Sequence, residues 1–295
     1  MAVLAADIGG TTTTVALVTG KKLAHIEQAP TASIRDLGVF LKAYLEKHKV
    51  VVRFISIAAA GPVLGNTVAL TNTKLTIDAK KLSTALKKRT ILLNDFVAAG
   101  MAVPLLTKKD LLLIQPGSAE PRNVTLLGVG TGLGKALVLT REKIVVASEG
   151  GHCDLPLLHD ELELGRFLTD KDGVLEYESV LSGRGIEHVY EYYAMLHKSA
   201  VDVMAADDDA SRATKEFFVK VLARAAKNYV LETRADAIYL TGGVVRKNAQ
   251  FIKERFLDEL HCVRSTHDGF VKGIRIAIIL HKNIGLLGAG NAVTR

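Results

Sequence analysis

Two similar segments constrain the fold of this chain more than any other feature. Placing Gly9 on Gly130, an offset of 121 residues, aligns DIGGTTTTVALVTGKKL with GVGTGLGKALVLTREKI. Each segment reads as a strand, a tight Gly/Thr turn, a second strand, a charged turn and a third strand. The match is either a coincidence of two hairpins or the mark of two related halves. In the second case, each half opens with a β-turn-β whose turn faces a shared cleft.

Short apolar, β-rich segments alternate with amphipathic ones along the rest of the chain. The spacing of Leu37, Phe40, Leu41 and Leu45 predicts a helix within residues 34–49. Alternating strands and helices predict an α/β fold, and 295 residues exceed one typical domain, so two domains are expected. The predicted strands are residues 2–6, 12–18, 22–28, 54–59, 91–94, 237–240 and 274–280, and the other predicted helices are residues 79–88, 96–103, 159–169, 211–233 and 284–295.

The composition is that of a globular protein with a sizeable core, since 48% of residues are apolar and 23% are charged. No apolar run approaches the roughly 18 residues that span a bilayer, and the start MAVLAADIGG lacks the features of a signal peptide. Two cysteines, Cys153 and Cys262, are too few for a disulfide framework. We therefore expect a cytoplasmic protein that does not bind a membrane.

The net charge of +7 raises the question of a nucleic-acid partner. Lysine and arginine are spread along the chain rather than concentrated in a tail, and pairs such as Lys80-Lys81 are typical of solvated helix faces. We expect no nucleic-acid binding. The charge favours a small anionic substrate or has no specific partner.

Three glycine-containing turns follow predicted strands. Glycine lets backbone N–H groups approach an anion, and threonine adds a hydroxyl donor. A single such turn is explained by hairpin geometry alone, but three of them favour a nucleotide. Neither the P-loop pattern nor G-x-G-x-x-G occurs, so a Walker site and a Rossmann site are unsupported. The turns are Gly9-Gly10-Thr11, Gly130-Thr131-Gly132 and Gly242-Gly243.

Two aspartates stand at predicted strand ends. Asp7 precedes the first glycine pair. A carboxylate at this position can hold a hydrated Mg²⁺ beside phosphate oxygens. The alternative is that Asp7 is simply a turn residue. Asp95 follows the apolar run ending in Leu93 and the polar Asn94. A carboxylate in such a setting is costly unless it is paired or used, so Asp95 is either the cap of the next helix or a catalytic base.

A second polar group follows a strand in SEGGHCD. Glu149 and His152 lie three residues apart, and a carboxylate with an imidazole suits a polyol. Metal ligation beside Cys153 is the rival interpretation. Residues 154–170 add only His159, fewer ligands than a zinc site needs. Glu178, in YESVLSGRG, would by itself be a solvated glutamate.

At these residues the chain resembles the bacterial-type glucokinase family, a branch of the sugar kinase/actin/heat-shock-chaperone ATPase superfamily. The resemblance extends over nearly the whole chain in eight ordered blocks. These are DIGGTTT (7–13), LTNTKLTID (70–78), LNDFVAAGMAVP (93–104), GVGTGLG (128–134), EGGHCD (149–154), ESVLSGRG (178–185), LTGGV (240–244) and HKNIGLLGAG (281–290).

The resemblance implies a two-domain actin-like (ribonuclease-H-like) ATPase fold with a duplicated β-hairpin/α core and an interdomain cleft. The implied domains are a small one, residues 1–95 with 284–295, and a large one, residues 96–283. It also implies a homodimer that phosphorylates the 6-hydroxyl of glucose with Mg²⁺ and ATP.

The same resemblance assigns roles to individual residues. It makes Asp95 the general base and Asn94, Glu149, His152 and Glu178 sugar ligands. Among sugars, Glu149 and His152 favour one with a free 2-position hydroxyl. ATP phosphates are expected at Gly9, Gly10, Thr11 and Thr12 and at Gly130, Thr131 and Gly132, with the adenosine near Gly242 and Gly243 and Mg²⁺ held at Asp7 through water.

The chain departs from its relatives in two places. The C-x-C-G-x-x-G-C zinc motif that follows E-G-G-H in ROK kinases and repressors is missing, as is a helix-turn-helix extension, so neither a structural zinc nor a repressor role is expected. The first turn reads Gly-Gly-Thr-Thr-Thr where many members have Gly-Gly-Thr-Asn. Two alternatives stay open: a kinase of another hexose or N-acetylhexosamine, and a non-catalytic actin-like ATPase module. The preferred hexose, the use of ADP or polyphosphate, and any regulation are left undetermined.

Overall fold

A computed structural model describes residues 2–70, 75–117 and 120–293. These residues form two compact units, one of residues 2–107, 143–147 and 281–293, the other of residues 108–142 and 148–280. Residues 71–74 of the LTNTKLTID block and the last two residues of the predicted C-terminal helix lie outside the described residues. Within the described ranges, no helix has both the length and the apolar content needed to cross a bilayer.

Thirteen strands and eleven α-helices are present among the described residues. The strands are β1 (Val3–Ile8), β2 (Thr12–Thr19), β3 (Lys22–Pro30), β4 (Phe54–Ala59), β5 (Thr67–Ala69), β6 (Thr76–Asp78), β7 (Arg89–Asn94), β8 (Leu111–Gln115), β9 (Asn123–Val129), β10 (Leu133–Leu139), β11 (Ile144–Ser148), β12 (Ala237–Thr241) and β13 (Arg275–Ile279). The helices are α1 (Leu37–Lys47), α2 (Ala79–Leu86), α3 (Asp95–Ala102), α4 (Leu162–Asp172), α5 (Gly183–Ala194), α6 (Ala200–Ala205), α7 (Asp209–Thr233), α8 (Gly243–Lys247), α9 (Ala249–Leu260), α10 (Ser265–Gly273) and α11 (Ile284–Ala292).

The first unit is built on a five-stranded sheet of order β3-β2-β1-β4-β7. Strand β1 is antiparallel to β2 and parallel to β4, which is in turn parallel to β7. Because successive side chains of a strand point to opposite faces, β1 buries Leu4 and Ile8 in the core that contains Leu41 of α1, and Ala5 in the core that contains Leu286 of α11.

Small residues on the second face of this sheet let α3 and α11 pack closely together. A Cβ atom at Gly288 of α11 would overlap the carbonyl oxygen of Ala98 in α3. The first unit therefore continues past Asp95, the end of the predicted small domain, since α3 belongs to the same packed layer as α11.

The second unit contains in full five strands ordered β10-β9-β12-β13-β8. Strands β9, β12 and β13 are parallel, and β10 and β8 are antiparallel to their neighbours. The long helix α7 packs against α5 and α9, and its Phe218, Val221 and Leu222 lie in the largest hydrophobic core of the unit. These apolar side chains of α7 therefore serve to build the core.

The two units repeat one topology, which confirms the predicted duplicated core. Strands β2-β1-β4-β7 and β10-β9-β12-β13 have the same order and the same relative directions. The turns differ in length, because Ile8 pairs with Thr13 and encloses residues 9–12, whereas Val129 pairs with Leu133 and encloses residues 130–132. The offset of 121 therefore holds up to the turn and becomes 120 on the second strand of each hairpin.

Candidate functional site

Parallel strands place Asp7 and Asp95 at one edge of the first sheet. Strand β4 lies between β1 and β7, with Asp7 opposite Ala58 and Asn94 opposite Ala59. The carboxyl ends of these strands thus lie side by side, the usual place for a ligand site in an α/β sheet. Burial, together with repulsion from the Asp95 carboxylate, raises the pKa of Asp7 to about 7.

The glycine at position 285 makes room for the Asp7 side chain. It is the second residue of α11, and a Cβ there would overlap the Asp7 carboxylate. Asp7 points to the α11 face of the sheet because it shares the strand periodicity of Ala5. The block IGLLGAG therefore contributes to the environment of Asp7.

The turn after β1 is held by Thr31. The N–H of Gly9 donates to the Thr12 carbonyl (3.0 Å), the Thr31 hydroxyl donates to the Gly9 carbonyl (2.8 Å), and the N–H of Thr31 donates to the Thr11 carbonyl (2.9 Å). Gly10 is half-buried, and Thr11 and Thr12 are exposed at the surface of the first unit. The turn has a fixed backbone, as an anion-binding turn requires.

Asn94, rather than Asp95, caps helix α3. Its backbone is extended, as at other N-caps, and its Oδ1 accepts hydrogen bonds from the N–H groups of Phe96 (2.9 Å) and Val97 (3.1 Å). Its Nδ2 donates to the Gly61 carbonyl at 3.2 Å. Asp95 is the first residue of α3, and its Oδ1 also accepts from the Phe96 N–H at 2.9 Å.

In the second unit, Glu178 lies against the glycine turn after β9. Its Oε2 accepts a hydrogen bond from the Leu133 N–H at 2.8 Å, and a Cβ at Gly132 would overlap its carboxylate. Gly130 N–H donates to the Gly132 carbonyl (2.9 Å) and Gly183 N–H donates to the Gly130 carbonyl (3.1 Å). The structure thus brings together a predicted phosphate turn and a predicted sugar ligand. Thr131, between the two glycines, is exposed.

The EGGH turn packs directly on strand β10. A Cβ at Gly151 would overlap the Leu133 carbonyl oxygen, and one at Gly150 would lie 2.8 Å from Cδ of Lys135. Tyr229, from α7, donates a hydrogen bond to the Gly150 carbonyl. The approach to the Leu133 backbone requires glycine at position 151, and Glu149 and His152 are exposed at the ends of the turn.

His152 has a partner that the sequence did not indicate. Its Nδ1 lies 2.8 Å from Oε1 of Glu176. This hydrogen bond, opposed by partial burial and aided by the charges of Glu176, Glu178 and Glu149, raises the pKa of His152. Glu176 stands only two residues before Glu178, but the fold alone brings it to His152.

A histidine and two carboxylates are spaced closely enough to hold a metal ion. Ligand atoms of His152, Glu176 and Glu178 lie within 4.8 Å of one another, the one such group among the described residues. Neither Glu149 nor Cys153, the residues considered with His152 from the sequence, belongs to it.

Gly242 and Gly243 follow β12. Gly242 has φ +98°, and a Cβ there would overlap the Val129 carbonyl oxygen of β9, so strand packing alone requires glycine at this position. Gly243 begins α8, and a Cβ there would meet no atom within 4 Å. A contact with adenosine at this turn stays a prediction.

Comparison with known proteins gives a consistent result. The family model described as Glucokinase matches residues 4–295. A glucokinase of Yersinia enterocolitica is 32% identical, over 97% of this chain and 94% of its own length, and one of Shigella sonnei is 30% identical over 97% and 95%. The crystal structure of a glucokinase from an Antarctic psychrotroph superposes with a TM-score of 0.84 at 26% identity, over 98% of this chain and 97% of that chain.

The fold of these relatives is the actin-like ATPase fold, which confirms the fold expected from the sequence. Together with the match over nearly the whole chain, this shows that the chain belongs to the glucokinase family.

Proposed function

We propose that this chain transfers the γ-phosphoryl group of ATP to the 6-hydroxyl of glucose. The observation that carries this function is the family match over residues 4–295, joined to relatives about one-third identical over almost their full length. A glucokinase of Balamuthia mandrillaris and a ROK family glucokinase of Streptomyces griseus, similar to this chain in fold, have been crystallised with glucose and with glucose and AMPPNP respectively.

Asp95 is the proposed general base. A sugar hydroxyl does not ionise near neutral pH, and a carboxylate within hydrogen-bond reach can take its proton as the bond to phosphorus forms. Asp95 is suited to this task because it begins α3 directly after strand β7, and the hydrogen bond that its Oδ1 accepts from the Phe96 N–H helps to hold the carboxylate in place.

Asn94, Glu149, His152 and Glu178 are the proposed sugar ligands. The capping bonds of Asn94 use its Oδ1, and Nδ2 donates one hydrogen bond to Gly61. Since an amide NH₂ group has two donors, we expect Asn94 to act toward glucose as a donor. Glu149 and Glu178 act as acceptors.

Mg²⁺ is proposed to bind beside Asp7. Its preference for carboxylate and water oxygens fits this position, because Asp7 and Asp95 repel each other and a cation relieves the cost of ionising both. When bound with ATP, Mg²⁺ neutralises charge on the phosphate oxygens. In this proposal the turns at Gly9–Thr12 and Gly130–Gly132 bind the phosphates through backbone N–H groups other than those of Gly9 and Gly130, which donate within the turns. Gly242 and Gly243 lie near the adenosine.

We further propose that the enzyme is a cytoplasmic homodimer. Both cysteines are exposed and unpaired, as is usual in a reducing compartment, and the dimer is expected from the resemblance. Light scattering after size-exclusion chromatography measures the assembly directly. A single species of about twice 31.7 kDa supports the dimer, and one near 31.7 kDa rejects it.

A coupled assay tests the function. Glucose, mannose and N-acetylglucosamine are each offered with ATP, ADP and polyphosphate, and nucleoside diphosphate or sugar phosphate is followed. We expect glucose with ATP to give the highest kcat/KM. A higher value with another sugar would favour the alternative kinase, and nucleotide hydrolysis without sugar phosphate would favour the ATPase module.

A further inference from the structure

The hydrogen bond between His152 and Glu176 fixes the chemistry of the imidazole. The side chain of Glu176 is 18% exposed and that of His152 is 53% exposed, with Nδ1 of the ring 2.8 Å from Oε1 of the carboxylate. An ionised carboxylate only accepts hydrogen bonds, so the proton of the pair lies on Nδ1. The other nitrogen, Nε2, is then left to meet a ligand.

The backbone on both sides of the pair is held in register. The chain from Cys153 to Leu155 runs antiparallel to the chain from Leu175 to Tyr177. The N–H of Tyr177 donates to the Cys153 carbonyl (3.0 Å) and the N–H of Leu155 donates to the Leu175 carbonyl (3.1 Å). Asp154 pairs with Glu176 between them. Glu176 is therefore carried to His152 by a short ladder rather than by a flexible loop.

Other charged groups near His152 belong to the elements packed on its turn. Glu178 lies in the 3₁₀ turn of residues 177–179, which Glu176 directly precedes. Glu149 precedes the turn of His152, and Lys135 of β10 lies beneath Gly150. Lys135 is engaged with Glu232 at 3.3 Å and with the ring of Tyr229. Glu176 is the group that hydrogen bonds to the imidazole.

We propose that Glu176 is a positioning residue for glucose. It holds His152 in the tautomer with the proton on Nδ1 and fixes the ring so that Nε2 meets the 2-position hydroxyl. This inference rests on the proposed function, since it deepens the role of His152 as a sugar ligand. It adds a residue that acts through another and does not itself touch the reacting atoms.

Substrate analogues separate this role from a structural one. Glu176→Leu removes the acceptor, and we expect the KM for glucose to rise about 10-fold, the loss of one charge-assisted hydrogen bond, with kcat within about 2-fold of wild type. For 2-deoxyglucose, which lacks the hydroxyl in question, the same substitution should change KM by less than about 2-fold. Glu176→Gln keeps an acceptor oxygen, so we expect its KM for glucose to lie between those of the wild type and Glu176→Leu. Glu163→Gln, at an exposed glutamate of α4, is the matched control.

A KM that rises equally for both sugars, or a kcat that falls with KM unchanged, would overturn the proposal. A bound metal ion would also overturn it. If His152, Glu176 and Glu178 act by chelating a metal, wild-type enzyme that is stripped with EDTA and assayed with Mg²⁺ alone will have the same KM for glucose as Glu176→Leu. We expect the stripped enzyme to keep the wild-type KM.

Nitrogen NMR of histidine-labelled protein tests the pair without any sugar. His152→Gln identifies the resonances, and we expect the wild-type ring to carry its proton on Nδ1 and Glu176→Leu to shift it toward Nε2. A neutral wild-type His152 ring that carries its proton on Nε2 instead of Nδ1 overturns the inference even if glucose is phosphorylated. If the Nδ1 proton is found but the coupled assay shows no glucose phosphorylation, the proposed function fails instead, and with it the assigned role of the pair.

Discussion

Oε2 of Glu178 accepts a hydrogen bond from the backbone N–H of Leu133 at 2.8 Å, and this contact sets the carboxylate against Gly132. A turn suited to phosphate and a carboxylate suited to a sugar hydroxyl thus share one backbone peptide. In a phosphoryl transfer the acceptor hydroxyl must lie close to the γ-phosphate. The contact provides a direct physical link between the two binding functions proposed for the second unit.

Alanine substitutions at the two glycines of this turn should have different effects on glucose phosphorylation. In Gly132→Ala the added Cβ would overlap the Glu178 carboxylate, whereas in Gly130→Ala it would meet no atom within 4 Å. Because a displacement of about 1 Å can cost about 10²-fold in rate, we expect Gly132→Ala to lower kcat/KM for glucose by about 10- to 100-fold more than Gly130→Ala. Equal kinetics of the two variants would contradict the role given to the contact.

The raised pKa of Asp7 makes stability depend on pH. Its pKa is about 7 in the folded protein against an ordinary value of 3.8, so the folded state binds more protons than the unfolded state between these values, and stability falls as pH rises from about 4 to 7. Asp7→Asn removes this loss. Without Mg²⁺ or nucleotide, we expect the stability gain of the variant to be about 2 kcal/mol larger at pH 8 than at pH 5.

Urea denaturation at the two pH values measures this difference. Asp170→Asn, at an exposed aspartate of α4, provides the control and should show none. If the gain from Asp7→Asn is the same at both pH values, Asp7 is not the group that titrates near 7.

A buried ion network joins α7 to the segment before α4. Arg224 donates to both oxygens of Glu161 at 2.7 and 2.8 Å, and Lys220 lies 2.8 Å from the same carboxylate. Burial opposes the charge of Glu161, but these bonds prevail and lower its pKa to about 2. Glu161 is 4% exposed, so Arg224→Met leaves a poorly compensated buried charge and should cost about 3 kcal/mol.

Two further variants test the network. Arg255→Gln removes a surface pair with Glu254 and should cost less than about 1 kcal/mol. The double variant Glu161→Leu/Arg224→Met should recover much of the loss, because the charges that remain keep other partners: Lys220 lies 3.7 Å from Asp160, and Glu259 lies 3.6 Å from Lys227. Additive losses in the double variant would argue against this explanation.

Packing of α3 on α11 depends on Gly288. A Cβ there would overlap the Ala98 carbonyl oxygen, so Gly288→Ala should force the helices apart and destabilise the protein by roughly 2 kcal/mol or more. Gly269, in α10, has no atom within 4 Å of an added Cβ. Gly269→Ala should therefore stabilise by up to about 1 kcal/mol. Thermal unfolding of the two variants tests the predicted loss of stability in Gly288→Ala and the predicted gain in Gly269→Ala. A higher stability of Gly288→Ala would contradict the close packing of α3 on α11.

Local signals were sufficient to predict much of the fold. Strands β1, β4 and β12 lie close to their predicted bounds because each is a short apolar run that ends in a turn or polar residue. Strand β8, Leu-Leu-Leu-Ile-Gln, was not predicted, since a short apolar run has no periodicity that distinguishes strand from helix. Helix α9 was missed although Ile252, Phe256 and Leu260 are spaced for it.

The candidate site was predictable only where chain neighbours share a task. Asn94 and Asp95 are adjacent in sequence, and both were predicted to belong to the site. Which of the two caps α3 could be decided only from the backbone geometry, which makes Asn94 the cap. Glu176 was missed because a ladder between residues 153–155 and 175–177 brings it to His152, and helix α4 intervenes in the chain. Long-range pairing of this kind leaves no local trace in one sequence.

Asp95 is the residue that we propose removes the proton from the glucose 6-hydroxyl. Asp95→Asn keeps a side-chain oxygen for the hydrogen bond from Phe96 N–H, so the fold should persist. The decisive measurement is kcat of this variant in the coupled assay, paired with calorimetric titration of glucose. We predict that kcat falls by about 10²- to 10⁴-fold while the Kd for glucose changes by less than about 3-fold. Turnover at the wild-type rate in Asp95→Asn would contradict the account.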